Sequence, residues 1–478
     1  MVEKRKDIYL KNKKVTVMGL GLYENGSGIS ATRFLVEQGA RVTVTDLKTR
    51  EQLTDQVKRL GSLARKIKFV LGEHREEDFK NIDLLVKNPG VPNISKYLRI
   101  ARENKIPIET DISLFFKLVP RERIIGITGT RGKSTTTSLI YEIVKLADKN
   151  AVLGGNITKS PLAQMMEVKK GGMVVLELSS WMLESLEPHK MSPQLAIFTN
   201  IYPDHLNTYK NIAEYAAAKE NIFQWQNKDD LVVLNRDNSW TRKMGAKVPG
   251  KRFWFSKKYF AAENGVYLKG KDVYFRLAGE EIKVLKKDDI QILGEHNLEN
   301  VLAAVAAAMA WGIRPETVRR GVKSFKGISD RLEFLREIKG VKYYNDTTST
   351  TPEATMAALR ALSLKPKSKS LKEKNIILIG GGSDKGLNFK ELAREIRDRV
   401  KNLVLLRGSG SERLAKEFLA LSFKFSVVGS MADAVGLAKS FAKRGDIVLL
   451  SPACASFGMF NNELDRGAQF RMIVRKLK

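Results

Sequence analysis

The residues best suited to chemistry are Thr128-Gly129-Thr130-Arg131-Gly132-Lys133-Ser134-Thr135. Glycines let backbone N–H groups turn inward, a lysine can reach terminal phosphates, and a serine hydroxyl can sit on Mg²⁺. The apolar run Ile124–Ile127 feeds this stretch and a helical pattern begins at Lys133. The arrangement therefore reads as a phosphate-cradling turn between a strand and a helix. Gly129, Thr130, Gly132, Lys133, Ser134 and Thr135 are its nucleotide-binding candidates. The spacing is irregular, because Ile127 stands where a glycine commonly opens such a loop.

Four other clusters carry polar groups where packing alone does not ask for them. Glu177 ends the apolar strand Met173–Glu177 and is followed by Leu178-Ser179-Ser180. A hard carboxylate oxygen there suits Mg²⁺, and a surface ion pair with lysine is the plainer alternative. Phe198 through Asn207 brings Asp204 and His205 to the end of another apolar strand. Of the histidines at 74, 189, 205 and 296, only His205 has that setting, so it is a metal or phosphate candidate beside the option of a structural hydrogen bond. Lys219 follows Tyr215-Ala-Ala-Ala on a helix, and its spacing alone indicates a solvated lysine. Asn297 and Asn300 lie one turn apart at a helix start, an arrangement that fits either a nucleobase or capping.

Three α/β units must position these residues, as expected for a chain of 478 residues. In residues 1–119, Lys14–Met18 reads as a strand leading to Gly19-Leu20-Gly21, with a helix near 28–37 and a second strand ending at Asp46. This resembles a dinucleotide fingerprint with a lengthened loop, so another diphosphate nucleotide, or a simple turn, fits too. Asn88-Pro89-Gly90-Val91-Pro92 turns at the same expected ligand edge. Residues 120–326 form a central unit whose 252–293 segment alternates like β-hairpins, and residues 327–478 form a second open sheet. Expected strands in that last unit lie near 333–345, 375–379, 403–406 and 446–450. The fold class expected is α/β in three domains: a Rossmann-like sheet, a P-loop ATPase-like domain with added β-hairpins, and a second Rossmann-like domain.

Composition narrows the setting. Hydrophobic residues make up 43% and charged residues 28%, which fits a soluble globular chain. Cys454 is the one cysteine, so no internal disulfide forms, and no apolar run reaches membrane-spanning length. A cytoplasmic location without membrane insertion is expected. The net charge of +30 favours anionic partners. The basic residues are spread along the chain with few aromatics among them, so nucleic acid is not expected as the main partner, and the run Lys365–Lys374 reads as a solvated loop.

In order, these clusters resemble the Mur ligase family, and within it the D-glutamate-adding branch most closely. The matching pieces run from Gly19 to Phe470 and include Gly155-Asn156-Ile157, Leu176–Ser180, Asn200–His205, Ala216–Lys219, His296-Asn297, Asp330–Phe334, Asn345-Asp346, Gly380–Gly386 and Leu450–Ser456. The resemblance implies a three-domain enzyme holding a UDP-sugar, ATP and an amino acid in turn. ATP would activate the carboxylate of UDP-N-acetylmuramoyl-L-alanine as an acyl phosphate, which the amine of D-glutamate then attacks, as in peptidoglycan precursor synthesis. Lys133, Glu177, His205 and Lys219 would carry catalysis. Ser134 and Glu177 would hold one Mg²⁺, with His205 and a carbamoylated Lys219 holding a second. Asn297, Asn300, Arg331 and Asp346 would bind the nucleotide. Leu22, Tyr23, Asp46 and Lys48 would line the uridine-diphosphate pocket, Asn156 and Ser179 the muramoyl-peptide region, and Thr350, Lys385 and Ser456 the amino-acid site. A monomer is expected.

The chain departs from the family pattern at Arg131, Asp330, Thr348 and Glu463, where asparagine, histidine, lysine and an aromatic residue are usual. Loss of a cation at Thr348 and gain of an acid at Glu463 leave open a ligase for a different amino acid, or a polyglutamate-type amide ligase. A dinucleotide-dependent oxidoreductase leaves the phosphate loop and Glu177 without a role.

Overall fold

The computed structural model describes residues 9–22, 25–157, 159–205, 208–363 and 374–478. Tyr23 and nearly all of the 365–374 basic run, up to residue 373, lie outside the described residues, as do Leu206 and Asn207. The strands form three sheets. The first contains β1 (Lys14–Met18), β2 (Arg41–Asp46), β3 (Ile67–Leu71), β4 (Leu84–Lys87) and β5 (Ile108–Glu109), in the order β3-β2-β1-β4-β5. All of its pairings are parallel. The order reverses between β1 and β4, and ligands of open α/β sheets sit beyond the strand ends at such a point.

The second sheet contains β6 (Ile124–Thr128), β7 (Val152–Gly155), β8 (Val174–Glu177), β9 (Leu195–Phe198), β10 (Leu231–Asn235), β11 (Lys251–Ser256), β12 (Gly265–Lys269), β13 (Asp272–Leu277) and β14 (Glu280–Lys286). Its order is β14-β13-β12-β11-β10-β9-β6-β8-β7. β12, β13 and β14 make the antiparallel hairpins expected from the alternating sequence. β11 instead joins the parallel part, paired with both β10 and β12. Its Phe253-Trp254-Phe255-Ser256 is buried on both faces, which is the condition of a parallel strand, not of a half-exposed hairpin.

The third sheet contains β15 (Glu333–Ile338), β16 (Val341–Asn345), β17 (Ile376–Gly381), β18 (Val400–Leu406), β19 (Ser426–Val428) and β20 (Ile447–Leu450), in the order β15-β16-β20-β17-β18-β19. The segment expected as strand near 333–345 is an antiparallel hairpin, because Lys339 and Gly340 take left-handed backbone angles and reverse the chain. Elsewhere the sheet is parallel. Along β17, Ile376 and Leu378 enter one core while Ile377 and Ile379 enter the core on the opposite face. That alternation follows from the two-residue period of a strand.

The chain divides into two compact units, residues 1–289 with 299–323, and residues 290–298 with 324–478. The first two sheets share one unit and one continuous apolar core, running from Leu10 and Val15 through Phe115 and Ile124 to Phe198 and Tyr267. Among the described residues, no helix is long and apolar enough to cross a membrane.

Candidate active site

β6 is buried along its whole length, so the chain must leave it at the sheet edge, and Gly129 starts that departure. A Cβ at Gly129 would collide with Thr199 Oγ1, and one at Gly132 with Asn300 Oδ1. Gly132 also takes a left-handed φ of 82° as the cap of helix Lys133–Ala147. These two glycines are therefore required by space as well as by backbone angle. The loop is braced from β9: Asn200 Nδ2 donates to Arg131 O at 3.0 Å, and Arg131 N donates back to Asn200 Oδ1 at 2.9 Å. Thr199 Oγ1 donates to the same carbonyl at 2.7 Å. Lys133 Nζ folds over its own loop, donating to Gly129 O at 3.0 Å and Thr130 O at 2.9 Å. Ser134 is half-buried in the first turn of the helix, and Thr135 is buried beside it.

Glu177 ends β8, the strand next to β6, and is buried. Its Oε1 accepts from Asn156 Nδ2 at 2.8 Å, while Oε2 is buried without a hydrogen-bond partner. Asn156 is also pinned through its backbone N–H to Glu177 O, at 2.9 Å. Ser179 caps the short helix Ser180–Glu184 through Met182 N. A buried carboxylate oxygen left without a donor is costly, unless a cation or donor arrives.

Lys219 is the chief surprise of burial. It lies on helix Ile212–Gln224 and is 2% exposed, not solvated as spacing alone indicates. Its Nζ is 3.4 Å from Thr128 Oγ1 and 4.9 Å from the centre of the Tyr215 ring. Burial first, and the like charge of Lys133 second, hold this amine well below the ordinary lysine range, against the opposing pull of Asp204 and Glu177. Tyr215 also lies 5.9 Å, ring to ring, from His205, so it stands between the two candidates. His205 itself is exposed, at a left-handed φ of 53°, with its ring 5.3 Å from Trp181. Asn200 and Tyr215 were given no role from sequence, although Asn200 opens the Asn200–His205 motif and Tyr215 stands four residues before Lys219. Thr128 opens the phosphate loop, but its contact with Lys219 had no signal there.

In the first sheet, both oxygens of buried Asp46 are used on backbone: Oδ2 accepts from Leu20 N and Oδ1 from Lys48 N, each at 2.9 Å. Asp46 thus fastens the glycine turn after β1 to the turn after β2. Leu22 is exposed, with its carbonyl held by Gln56 Nε2, and Lys48 is half-buried. Asn300 is buried with Oδ1 against Gly132 and 3.5 Å from Thr136 Oγ1. Asn297 belongs to the other compact unit, where its Nδ2 donates to Leu293 O at 2.7 Å.

In the third sheet, Asp346 is buried at the end of β16, accepting from Leu332 N at 3.0 Å and from Ser451 Oγ at 2.8 Å. Burial pushes its carboxyl up to about 6, while Ser349, Ser451 and exposed Arg331 pull the other way. Lys385 Nζ donates to Thr350 Oγ1 at 3.0 Å. Ser383 and Ala455 exchange backbone bonds, which ties the Lys385 loop to the loop bearing buried Ser456.

Comparison with known proteins agrees across the length of the chain. The family models described as the MurD-like N-terminal domain, the Mur ligase middle domain and the Mur ligase glutamate ligase domain match residues 13–110, 127–308 and 330–454. The UDP-N-acetylmuramoylalanine–D-glutamate ligase of Roseiflexus sp. (strain RS-1) is 42% identical over 475 residues, covering 97% of this chain and 99% of that one. The enzyme of the same name from Alkaliphilus metalliredigens is 36% identical over 472 residues, covering 98% and 99%. Among solved structures, UDP-N-acetylmuramate-alanine ligase MurC from Thermotoga maritima superposes with a TM-score of 0.60 at 19% identity, over 98% of this chain and 100% of that one. MurF from Acinetobacter baumannii gives 0.60 at 16% identity, over 97% and 94%. Those two likenesses concern the three-domain α/β fold, and the full-length sequence relatives carry the conclusion that the chain belongs to the Mur ligase family.

Proposed function

We propose that this chain is an ATP-dependent amide-forming ligase that joins D-glutamate to UDP-N-acetylmuramoyl-L-alanine. The full-length relatives supply the substrates, and the geometric observation that carries the chemistry is Lys219, buried beside Thr128 under the phosphate loop with its amine held well below the lysine range. On this reading residues 1–119 hold the UDP-sugar, 120–326 hold ATP and 327–478 hold the amino acid. The enzyme would work in the cytoplasm as a monomer.

A carboxylate is a poor electrophile. Transfer of the γ-phosphoryl group of ATP to the alanyl carboxylate, with ADP leaving, makes the acyl phosphate. The glutamate amine then attacks the acyl carbon, phosphate leaves, and the amine gives up a proton as the amide forms. The work of the protein is to align these anions and to offset their charge. Lys133 would exchange its two loop carbonyls for β/γ-phosphate oxygens. Asp346, Arg331, Asn297 and Asn300 would hold the rest of the nucleotide. Asn156 and Ser179 would orient the muramoyl-peptide arm, while Lys385, Thr350 and Ser456 present the amino acid.

The residues present fit Mg²⁺. Glu177 Oε2 is a buried oxygen without a donor, and Ser134 offers a hydroxyl at the start of the loop helix. Among the described residues no group of three or more His, Cys, Asp and Glu is gathered. A second ion would accordingly need His205 together with Lys219 converted to a carbamate, and burial favours the unprotonated form of that amine, which is the form that reacts with CO₂. The bound ions would neutralise phosphate charge.

Phosphate release with ATP, Mg²⁺, UDP-N-acetylmuramoyl-L-alanine and a panel of amino acids tests the reading. Stimulation by D-glutamate alone is expected. Stimulation by another amino acid instead would favour the alternative opened by Thr348 and Glu463.

A further inference from the structure

Among the described residues Arg466 is the largest fully buried side chain, at 0% exposure, and it has no role in the scheme above. It sits on helix Glu463–Lys476 and reaches back under the third-sheet site. Its Nε donates to Thr347 Oγ1 at 3.0 Å, Nη2 to Thr347 O at 2.8 Å, and Nη1 to Cys454 O at 3.2 Å. Thr347 Oγ1 in turn donates to Glu463 O at 2.8 Å. One guanidinium thereby joins the loop of Asp346 and Thr350 to the loop of Ser456. No carboxylate lies within ion-pairing distance of it among the described residues. Glu463, one turn earlier on the same helix, is the acid whose charge it feels, but it forms no ion pair with it.

A buried guanidinium satisfied only by carbonyls and a hydroxyl keeps its hydrogen bonds but not a counter-ion. Such a charge is unfavourable in the empty fold and favours whatever anion docks near it. Cys454 shows where the field converges. Burial pushes its thiol up to about 12; Arg466 pulls in the opposite direction, Asp384 adds to the rise, and Lys385 opposes it last. Of these charges Arg466 acts most strongly on Cys454, which lies two residues before Ser456.

We infer that Arg466 is a positioning residue whose unneutralised buried charge fixes the preference of the third-domain pocket for a dicarboxylic amino acid. This inference rests on the amino-acid site proposed above.

The test compares D-glutamate with its neutral amide D-glutamine in the full-length enzyme. Wild type must first show D-glutamate-dependent phosphate release, and if it does not, the functional reading fails before this one is reached. Arg466→Met removes the charge, Arg466→Lys keeps it, and Cys454→Asp sets a carboxylate against the intact arginine. Arg466→Met and Cys454→Asp should raise the KM for D-glutamate at least tenfold, leave the KM values for ATP and the UDP-sugar within about twofold, and narrow the preference for D-glutamate over D-glutamine. Arg466→Lys should keep most of that preference. The inference is overturned if a folded neutralised variant retains wild-type KM and preference, or if all three KM values rise together. It is equally overturned if both neutralised variants fail to fold while Arg466→Lys folds and is unselective.

Discussion

Lys219 and Asp346 show how burial sets the working form of a side chain. Lys219→Ala should retain the fold, since alanine suits a helix, yet lose turnover by at least about a hundredfold, the scale for removing a major electrostatic group. With ¹³C-bicarbonate, wild-type enzyme should show a carbamate resonance that Lys219→Ala lacks. Asp346 has a folded value of about 6, above the ordinary carboxylate value of 3.8. Protonation is thus favoured by the fold, and the stability this group contributes is present below about pH 4 and lost as pH rises through about 6. ATP binding should follow the opposite course if the carboxylate accepts nucleotide hydroxyls. KM for ATP should rise as pH falls through about 6, and Asp346→Asn should flatten that profile. Lys133 and Ser134 were legible because the loop states its chemistry in consecutive residues. Lys219 was not, because its defining property is burial under β6, and only its place in an ordered series of family motifs marked it. Arg466 gave no sign, since an arginine on a polar helix reads as solvated.

At the scale of elements, close approach decides more than propensity. Gly28 lies in helix Ser27–Glu37, where a Cβ would run into the carbonyls of Gly19 and Leu20 at 2.1 and 2.5 Å. Gly28→Ala should therefore destabilise the first sheet by about 3 kcal/mol, measurable by denaturant titration, even though alanine is the better helix former. The strongest strands, β1, β6, β17 and β20, were legible as apolar runs. Short ones such as β5, with two residues, and β19, with three, gave no period to read. The hairpin of β15 and β16 hid in one apparent strand because its reversal depends on the left-handed Lys339 and Gly340.

At the scale of the molecule, the three sheets were foreseen, but their grouping was not, because compactness is a property of contacts between distant segments. The +30 charge also exceeds what a few phosphate- and carboxylate-binding groups require. The apolar core shared by the first two sheets has a consequence for cooperativity. Cutting the chain near 119/120 would expose one face of that core on each fragment, so the UDP-sugar and ATP regions should melt as one transition, while the third sheet, with its own two cores, should melt as another. Differential scanning calorimetry should resolve two heat-absorption peaks, with the larger enthalpy in the peak of the larger unit. ATP should move that peak if its phosphates bind there, and an isolated 1–119 fragment should aggregate. The catalytic scheme assigns three tasks to three regions, whereas thermal denaturation should count only two bodies.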